Sequence, residues 1–374
     1  MSHKIVVLGG YGAFGRNIAL DLAKLPDVAL VVAGRTPTKG AALAASMGAD
    51  VAFCDLKDPA SVHTLVKDAF LLIHAAGPFW GAGHAVAKIC LEHGVHYLDL
   101  GDEREHVAGI VTLNEAAQRQ GLFLGAGVST TPGITSAMVH HLAADGLRIR
   151  AVHSVLAPGN QNPRGTSTVA TVLGYLGRSI PMTIDGRPVT RRGWFDGEVV
   201  TLPAPVGRRR VYTVDTPDLA LFPAHFGAQT VTFKAGMELN VMNYGLALLA
   251  RLQRRRKFPP LVGLARLFTA LSWLLYPLGS PHGAVAVWVE GEQAGERCCR
   301  SLAIVAPAQG PLVAAAPAIV LARQLLDKDR PLRPGAYPCL GLFTFEALMA
   351  YLQPYGLRAV RGDENGWQAG DSVA

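Results

Sequence analysis

The fold is decided by the stretch Lys4-Ile5-Val6-Val7-Leu8-Gly9-Gly10-Tyr11-Gly12-Ala13-Phe14-Gly15, close to the start of the chain. Its apolar first half predicts a strand, and helical periodicity follows over Ala13–Lys24. The glycines between them match G-x-G-x-x-G, which allows a tight turn, approach of a pyrophosphate and close helix–strand packing. The helix start also offers unpaired N–H groups to phosphates. We therefore predict a dinucleotide site at Gly10, Tyr11, Gly12, Ala13, Phe14 and Gly15.

The first 127 residues alternate short β-branched runs with longer helical stretches. The predicted strands are Lys4–Leu8, Ala29–Ala33, Val51–Phe53, Phe70–Ala75, His96–Leu100 and Leu122–Ala126. The predicted helices are Ala13–Lys24, Thr38–Met47, Pro59–Lys67, Gly83–His93 and Glu103–Gln120. This alternation predicts a doubly wound parallel sheet with right-handed crossovers, the Rossmann arrangement.

The pattern changes after Arg150, where strand and turn signals surround a helical segment at Thr166–Leu176. The runs Ala284–Glu290 and Cys298–Val305 predict an antiparallel sheet. We therefore expect an α/β protein with a second, α+β domain. Its predicted parts are a Rossmann domain at 1–135, a substrate or dimerisation domain at 136–310, helices over 311–361 that pack on the first domain, and a disordered tail at 362–374.

Composition restricts the class of protein. The chain has 374 residues, half of them apolar, which suffices for two buried cores. Its net charge of +7 comes mostly from scattered basic residues, so we expect no nucleic-acid partner. Five cysteines without a C-x-x-C pair predict reduced thiols and no metal site. The first strand follows Met1-Ser2-His3 directly, which predicts no signal peptide and a cytoplasmic location.

The residues after the second predicted strand bear on the choice of cofactor. NAD-binding units place a carboxylate about 20 residues past the glycines, on the ribose 2′-hydroxyl. Here the sequence reads Ala33-Gly34-Arg35-Thr36, with no carboxylate between Ala29 and Lys39. A guanidinium holds a 2′-phosphate bidentately. Arg35 and Thr36 therefore predict NADP, and NAD with Arg35 stacked on adenine is the alternative.

Two further segments are expected at the cofactor. Asp55, beyond the third strand, is predicted to accept from the adenine amino group or, alternatively, to cap the helix that starts near Pro59. Ala76, Gly77 and Pro78 follow the fourth strand, where small residues let the backbone approach the ribose and nicotinamide.

This part of the chain resembles the saccharopine dehydrogenase-like superfamily of NADP-binding oxidoreductases. The residues that carry the resemblance are Ala75 to Phe79, Gly83, Val86, Cys90, Gly94, His96, Tyr97, Asp99, Leu100 and Glu103. It continues through Gly127 to Gly133 and is thin afterwards. The resemblance implies a Rossmann domain, a mixed second domain and a pyridine-nucleotide oxidoreductase whose substrate varies widely within the family.

For proton transfer we predict a carboxylate at the end of the fifth strand: Asp99, Asp102 or Glu103. Asp102 has an alternative role as a helix cap, with Glu105 as its capping-box partner. The predicted reaction is hydride transfer to or from an imine, carbonyl or activated alkene of a small molecule. An enoyl reductase-like enzyme on a lipid-like substrate and a non-catalytic NADP sensor or partner protein are the alternatives.

The most apolar stretch is Leu261 to Gly279, after the basic run Arg254 to Lys257. As a single helix it would span roughly 28 Å, but Arg266 and Pro277 make insertion across a bilayer marginal. The helical arrangement predicts one polar arc that includes Thr269 and Ser272, and an opposite apolar side. We expect the apolar side to be buried or at a homodimer interface, with peripheral membrane contact as the alternative.

Overall fold

The structure is a computed structural model that describes residues 2–81, 83–254, 261–364 and 366–368. The chain folds into two compact units. The first unit comprises Met1–Gly133 and Pro311–Phe343, and the second comprises Ile134–Gly310 and Thr344–Ala374. The predicted helical segment over 311–361 is thus divided, because its part beyond residue 343 belongs to the second unit.

The amino-terminal stretch alternates strands and helices as predicted. Its strands are β1 (His3–Leu8), β2 (Val28–Gly34), β3 (Asp50–Phe53), β4 (Leu71–His74), β5 (His96–Asp99) and β6 (Phe123–Ala126). Its helices are α1 (Gly15–Leu22), α2 (Pro37–Met47), α3 (Pro59–Val66), α4 (Ala85–Glu92), α5 (Arg104–Gly109) and α6 (Asn114–Arg119). The predicted long helix Glu103–Gln120 is therefore two short helices, joined by a 3₁₀ turn at Ile110–Leu113.

The middle of the chain belongs to the second unit. Its strands are β7 (Arg148–Ala157), β8 (Ser179–Ile184), β9 (Arg187–Arg192), β10 (Glu198–Thr201), β11 (Arg208–Thr213), β12 (Thr230–Ala235), β13 (Gly283–Gln293) and β14 (Glu296–Ala306). Its helices are α7 (Thr135–Leu142), α8 (Thr166–Tyr175), α9 (Asp218–Phe226), α10 (Asn240–Gln253) and α11 (Ala265–Leu274). The last elements of the chain are α12 (Gly310–Leu326), β15 (Gly335–Pro338), α13 (Phe345–Leu352), β16 (Arg358–Asp363) and β17 (Gly366–Trp367).

The sheet of the first unit confirms the predicted doubly wound arrangement. Among the described residues its order is β15-β6-β5-β4-β1-β2-β3, with every pair parallel. The chain order reverses between β1 and β4, which is where such sheets bind ligands beyond the strand ends. Leu8 lies opposite Ala33 and His74, and His74 lies opposite Asp99. The carboxyl ends of these strands therefore meet at one edge.

The sheet of the second unit has the order β10-β11-β12-β7-β13-β14-β16-β17 over the described ranges. The predicted antiparallel pair is confirmed as β13 with β14. The pairing of β7 with β12 is parallel, so the sheet is mixed. The predicted disordered tail is wrong over its first residues, since Gly362 and Asp363 end β16 and pair with Trp367 and Gly366 of β17. Residues 365 and 369–374 of that tail lie outside the described residues.

The predicted long helix at Leu261 to Gly279 is wrong in extent. A 3₁₀ turn covers Leu261–Leu264, and α11 ends at Leu274. Of the basic run before it, residues 255–257 lie outside the described residues. No helix in the described ranges is long and apolar enough to cross a membrane.

Candidate functional site

The glycine turn between β1 and α1 is fixed by close backbone packing. Gly9 has a φ of +83°, and a Cβ there would lie 2.9 Å from the Ala75 carbonyl carbon. A Cβ at Gly10 would lie 2.8 Å from the Val7 carbonyl oxygen, and one at Gly15 would lie 2.9 Å from the Gly10 Cα. At Gly12 the one near atom is the Gly9 carbonyl oxygen, at 3.0 Å. The turn itself thus requires Gly9, Gly10 and Gly15, whereas Gly12 faces much freer space.

The start of α1 leaves backbone donors open. Phe14 is the N-cap residue and supplies no side-chain cap. The N–H groups of Ala13 and Phe14 donate to no acceptor among the described residues, although Gly12 donates to the Gly9 carbonyl at 2.8 Å. Adjacent unpaired N–H groups at the positive end of a helix form an anion site. This geometry suits the pyrophosphate predicted from the sequence.

Tyr11 connects the glycine turn to the β2–α2 connection. Its hydroxyl accepts a hydrogen bond from the Thr36 backbone N–H at 2.9 Å. A Cβ at Gly40 would lie 2.7 Å from the Tyr11 ring, and a Cβ at Gly34 would lie 2.7 Å from its Cζ. The ring therefore lies over two glycines, and the two loops are held together by one side chain. Sequence reasoning placed Tyr11 at the cofactor but did not find these contacts.

Arg35 lies directly after β2, at the carboxyl edge of the first sheet. Its side chain is exposed, as is that of Lys39 in the first turn of α2. Thr36 is the N-cap residue of α2 but makes no side-chain cap. A guanidinium, a hydroxyl and a helix start thus lie together where the 2′-phosphate of NADP was predicted.

The alternative role of Asp55 as a helix cap is excluded. Asp58 caps α3, because its Oδ1 accepts from the Ala60 N–H at 3.1 Å. Asp55 instead accepts from the Lys57 N–H, also at 3.1 Å. Its predicted contact with the adenine stays a prediction.

The loop after β4 lies against the glycine turn, as the close approach of Gly9 to Ala75 shows. His74 holds this loop, since its Nε2 donates to the Ala76 carbonyl at 3.2 Å and its Nδ1 accepts from the Tyr97 hydroxyl at 3.1 Å. Burial lowers the pKa of His74 to about 4, so the ring is neutral at physiological pH. Ala76, Gly77 and Pro78 are therefore positioned beside the predicted phosphate site.

Asp99 is the most heavily hydrogen-bonded of the predicted catalytic residues. It is fully buried, and its Oδ1 accepts from the N–H groups of Gly101 at 2.8 Å and Gly127 at 2.9 Å. Its Oδ2 accepts from His106 Nε2 at 2.9 Å. Burial alone would raise the pKa of this carboxyl, but the hydrogen bond and charge of His106, with the two N–H donors, lower it. Asp99 is thus an ionised group that joins three backbone segments.

His106 completes a buried ion pair. Its other nitrogen, Nδ1, donates to the Gly83 carbonyl at 3.0 Å. Because the carbonyl and the ionised carboxylate only accept, both ring nitrogens carry a proton. Burial lowers the pKa of His106, but the hydrogen bond and charge of Asp99 outweigh it and raise the pKa. Sequence reasoning missed His106, although its position seven residues after Asp99, in the next helix, was visible.

Glu103 and Asp102 follow Asp99 on the way into α5. The predicted capping box at Asp102 is wrong, because Glu103 is the N-cap residue. Its Oε1 accepts from the Glu105 N–H at 3.1 Å and its Oε2 from the His106 N–H at 2.7 Å. Asp102 is half-buried between β5 and α5. The three predicted carboxylates thus follow one another at the end of β5, where N–H donors hold Asp99 and Glu103.

A second unusual carboxyl lies in the second unit and was not found from the sequence. Asp218, at the start of α9, is fully buried, and no hydrogen bond of normal geometry from a described residue reaches either of its oxygens. Burial raises the pKa of this carboxyl to about 7, although the nearby Thr135 hydroxyl lowers it to a smaller extent. Because burial depends on tertiary packing, no local pattern in the sequence marks Asp218.

The parallel sheet, the glycine turn and the open helix start define a dinucleotide-binding protein of the Rossmann class. Comparison with known proteins relates the amino-terminal part of the chain to a particular family of domains. Residues 5–126 match the family model of the saccharopine dehydrogenase NADP binding domain. The predicted NADP-binding domain is thereby confirmed.

Relatives of known sequence agree with this assignment. A saccharopine dehydrogenase-like oxidoreductase of Rattus norvegicus is 25% identical over 142 residues, which cover 32% of this chain and 33% of that protein. A protein of Arabidopsis thaliana named "Probable mitochondrial saccharopine dehydrogenase-like oxidoreductase" is 30% identical over 118 residues, 28% of this chain and 26% of that one. The chain thus matches about a third or less of these relatives' length.

A solved structure extends the likeness in fold to nearly the whole chain. Apo saccharopine dehydrogenase (L-Glu forming) of Saccharomyces cerevisiae superposes with a TM-score of 0.72 at 15% identity, covering 97% of this chain and all of that one. At this identity the match concerns the fold alone. The amino-terminal part of the chain is thus similar to saccharopine dehydrogenase-like, NADP-binding oxidoreductases.

Proposed function

We propose that the chain is an NADP-dependent oxidoreductase that transfers a hydride to or from an imine, a carbonyl or an activated alkene of a small molecule. The observation that carries this proposal is the pair of anion sites at one sheet edge. The open N–H groups of Ala13 and Phe14 suit a pyrophosphate, and Arg35 follows the adjacent strand. NADP requires two such features, one for its pyrophosphate and one for its 2′-phosphate.

Different residues of the first unit would hold different parts of this cofactor. Gly12 leaves room for the pyrophosphate, and the start of α1 donates to it. Arg35 and Thr36 would hold the 2′-phosphate, while Asp55 would accept from the adenine amino group. Ala76, Gly77 and Pro78 would line the ribose and nicotinamide. When bound, the nicotinamide supplies the hydride chemistry, so the protein needs chiefly to position it and to provide a proton.

For the proton we propose a carboxylate at the end of β5: Asp99, Asp102 or Glu103. Asp99 has a lowered pKa and accepts three hydrogen bonds, and both oxygens of Glu103 accept from backbone N–H groups. Among Asp99→Asn, Asp102→Asn and Glu103→Gln, we expect the variant of the proton donor to lower kcat about 100-fold or more and to leave the NADPH dissociation constant unchanged. An unchanged kcat in all three variants would contradict the assignment of proton transfer to this strand end.

The cofactor assignment is tested by titration of NADPH and NADH against the purified protein. Arg35→Ala removes a charge-assisted contact of roughly 1.5–3 kcal/mol, which corresponds to about 10- to 150-fold in affinity. We expect NADPH binding to weaken by that factor and NADH binding to change little. Arg330→Ala, an exposed arginine of the first unit, is the control for lost charge. Equal losses for both cofactors in Arg35→Ala would show that Arg35 does not hold the 2′-phosphate.

Turnover separates the proposed enzyme from its alternatives. The purified protein is mixed with NADPH and one member of a panel of ketones, imines and enoyl thioesters. The oxidation of NADPH is followed by its absorbance. Steady oxidation with one class supports the enzyme and names the substrate chemistry. Preference for long acyl chains would favour the enoyl reductase-like alternative. NADPH binding without turnover on any member would favour a non-catalytic NADP sensor or partner protein.

A cytoplasmic location, a homodimer and a peripheral membrane contact through Leu261 to Gly279 also stay proposals. The last two compete for the same apolar residues, so the exposure of those residues bears on both.

A further inference from the structure

Helix α11 presents its apolar side outward. The residues that face the protein include Ala265 and Ser272, which are buried. The large exposed side chains are Trp273 and five leucines that recur at spacings of three and four, Leu264, Leu267, Leu271, Leu274 and Leu278. Leu271 is 48% exposed and Leu274 is 74% exposed. The expected burial of the apolar side is therefore wrong within this unit, because the leucines of α11 face away from the protein.

Helix α10 repeats this arrangement. Its inner face is formed by Asn243, Ala247 and Ala250, which are buried. Val241, Tyr244 and Leu248 are exposed on the other side. Exposed apolar surface of this extent on a folded protein marks an interaction site. We call the exposed large side chains of both helices the leucine stripe.

The residues just before α10 and just after α11 are hydrogen-bonded to each other. Glu238, just before α10, accepts from the Ser280 N–H at 2.8 Å and from the Ser280 hydroxyl at 2.7 Å, just after α11. Asn160 donates to the Leu275 and Leu278 carbonyls at 2.5 Å each. The two ends of residues 240–279 are thereby fixed to each other and to the loop after β7. The stripe is thus presented by an anchored segment.

A cationic groove adjoins the stripe on α10. It has a volume of about 260 Å³, and its lining includes Arg210, Arg251, Tyr212, Tyr244 and Leu248. Arg210 lies 5.6 Å from the Tyr244 ring centre, and Arg251 donates to the Ala247 carbonyl at 3.0 Å. Neither guanidinium forms a salt bridge with a carboxylate of the described residues.

The charge of the residues around α10 and α11 favours one kind of partner, an anionic surface, over a second copy of the chain. Residues 239–289 contain no Asp or Glu, but they contain Arg251, Arg254 and Arg266. A two-fold contact with a second copy would bring these like charges together, which disfavours it. An anionic surface is favoured instead, and apolar residues flanked by arginines match the boundary between headgroups and acyl chains.

We propose that α10 and α11 dock on an anionic phospholipid surface, with the leucine stripe in the headgroup boundary and a lipid phosphate held by Arg210 and Arg251. The apolar residues supply insertion, and the two guanidinium groups supply preference for negative charge. This inference concerns the second unit and does not depend on the proposed reaction.

Co-sedimentation of the full chain with vesicles tests the proposal. We expect binding to phosphatidylcholine vesicles that contain phosphatidylglycerol, weakening as salt is raised, and little binding to phosphatidylcholine alone. Arg210→Ala with Arg251→Ala should reduce the partition coefficient about thirtyfold, at about fivefold for each arginine. The control is Arg187→Ala with Arg191→Ala, exposed arginines of β9. Leu271→Glu with Leu274→Glu should abolish binding, whereas Val111→Glu with Thr190→Glu, two exposed positions elsewhere, should not.

The outcomes against the proposal are distinct. Wild-type protein that stays in the supernatant at low salt refutes it, as does equal loss of binding in the test and control arginine variants. A wild-type dimer in light scattering that Leu271→Glu with Leu274→Glu dissociates without lipid would assign the stripe to a second copy. Calorimetric binding of inorganic phosphate through Arg210 and Arg251, without vesicle binding, would make the groove a soluble-anion site. Circular dichroism of each variant verifies folding, and NADPH titration reports separately on the first unit.

Discussion

Replacement of Asp218 by asparagine should change how stability depends on pH. Asp218 has a pKa of about 7 in the folded chain against 3.8 ordinarily, so the folded state binds more protons between these values. Its contribution to stability is therefore complete below pH 3.8 and is lost as the pH rises through 7. At 1.36 kcal/mol for each pKa unit, the loss totals about 4 kcal/mol, of which more than half falls between pH 5 and pH 8. The amide that replaces the carboxyl does not titrate, so the variant should escape this loss.

The assay is denaturant unfolding followed by tryptophan fluorescence. Trp194, Trp273, Trp288 and Trp367 belong to the second unit and Trp80 to the first, so the signal reports mainly on the unit that contains Asp218. The difference in unfolding free energy, Asp218→Asn minus wild type, should rise by about 2 to 3 kcal/mol from pH 5 to pH 8. Asp185→Asn, an exposed acid of the same unit, is the control. A difference for Asp218→Asn that is the same at both pH values would refute the reasoning.

Two other predictions concern the first unit. Gly12→Val should abolish NADPH binding in a titration while the circular dichroism spectrum is retained, because the side chain enters the space left for the pyrophosphate; normal binding would disprove the site. His106→Ala should destabilise the first unit by about 3 kcal/mol, because it leaves the buried Asp99 carboxylate without its charged partner. Thermal unfolding measures this, and His63→Ala, on the exposed surface of α3, should cost much less. Equal costs would show that the Asp99–His106 pair is not a significant source of stability.

Most of the first sheet was predictable because its signals are local. Each of β1 to β6 is a short, mostly apolar run next to a helical stretch, and the observed bounds differ from the predicted ones by at most one residue at each end. The seventh strand, β15, was not predicted. It comprises only Gly335-Ala336-Tyr337-Pro338, and it is a strand because it pairs with Phe123 to Ala126, more than two hundred residues away in the sequence.

The candidate site likewise has one part that the sequence predicts and one part that it does not. The glycine turn and Arg35 follow from sequence spacing, since the motif encodes backbone geometry. The functions of Asp99 and Glu103 do not, because a carboxylate at the end of a strand is equally suited to catalysis, capping and burial. Only the positions of Gly101, Gly127 and His106 in space decide among these for Asp99. The outward stripe of α11 was mispredicted for a related reason, since helical periodicity identifies two faces without showing which one the protein covers.

The position of Tyr11 has a consequence for attempts to re-engineer cofactor preference. Its ring lies over Gly34 and Gly40, and its hydroxyl accepts a hydrogen bond from the Thr36 N–H, so one side chain holds the glycine turn and the β2–α2 connection together. An alanine at Gly34 or Gly40 would displace the ring and alter both loops at once, although neither glycine is predicted to touch the cofactor. Mutant libraries in which Arg35 is replaced by an acidic residue should therefore vary Tyr11, Gly34 and Gly40 at the same time.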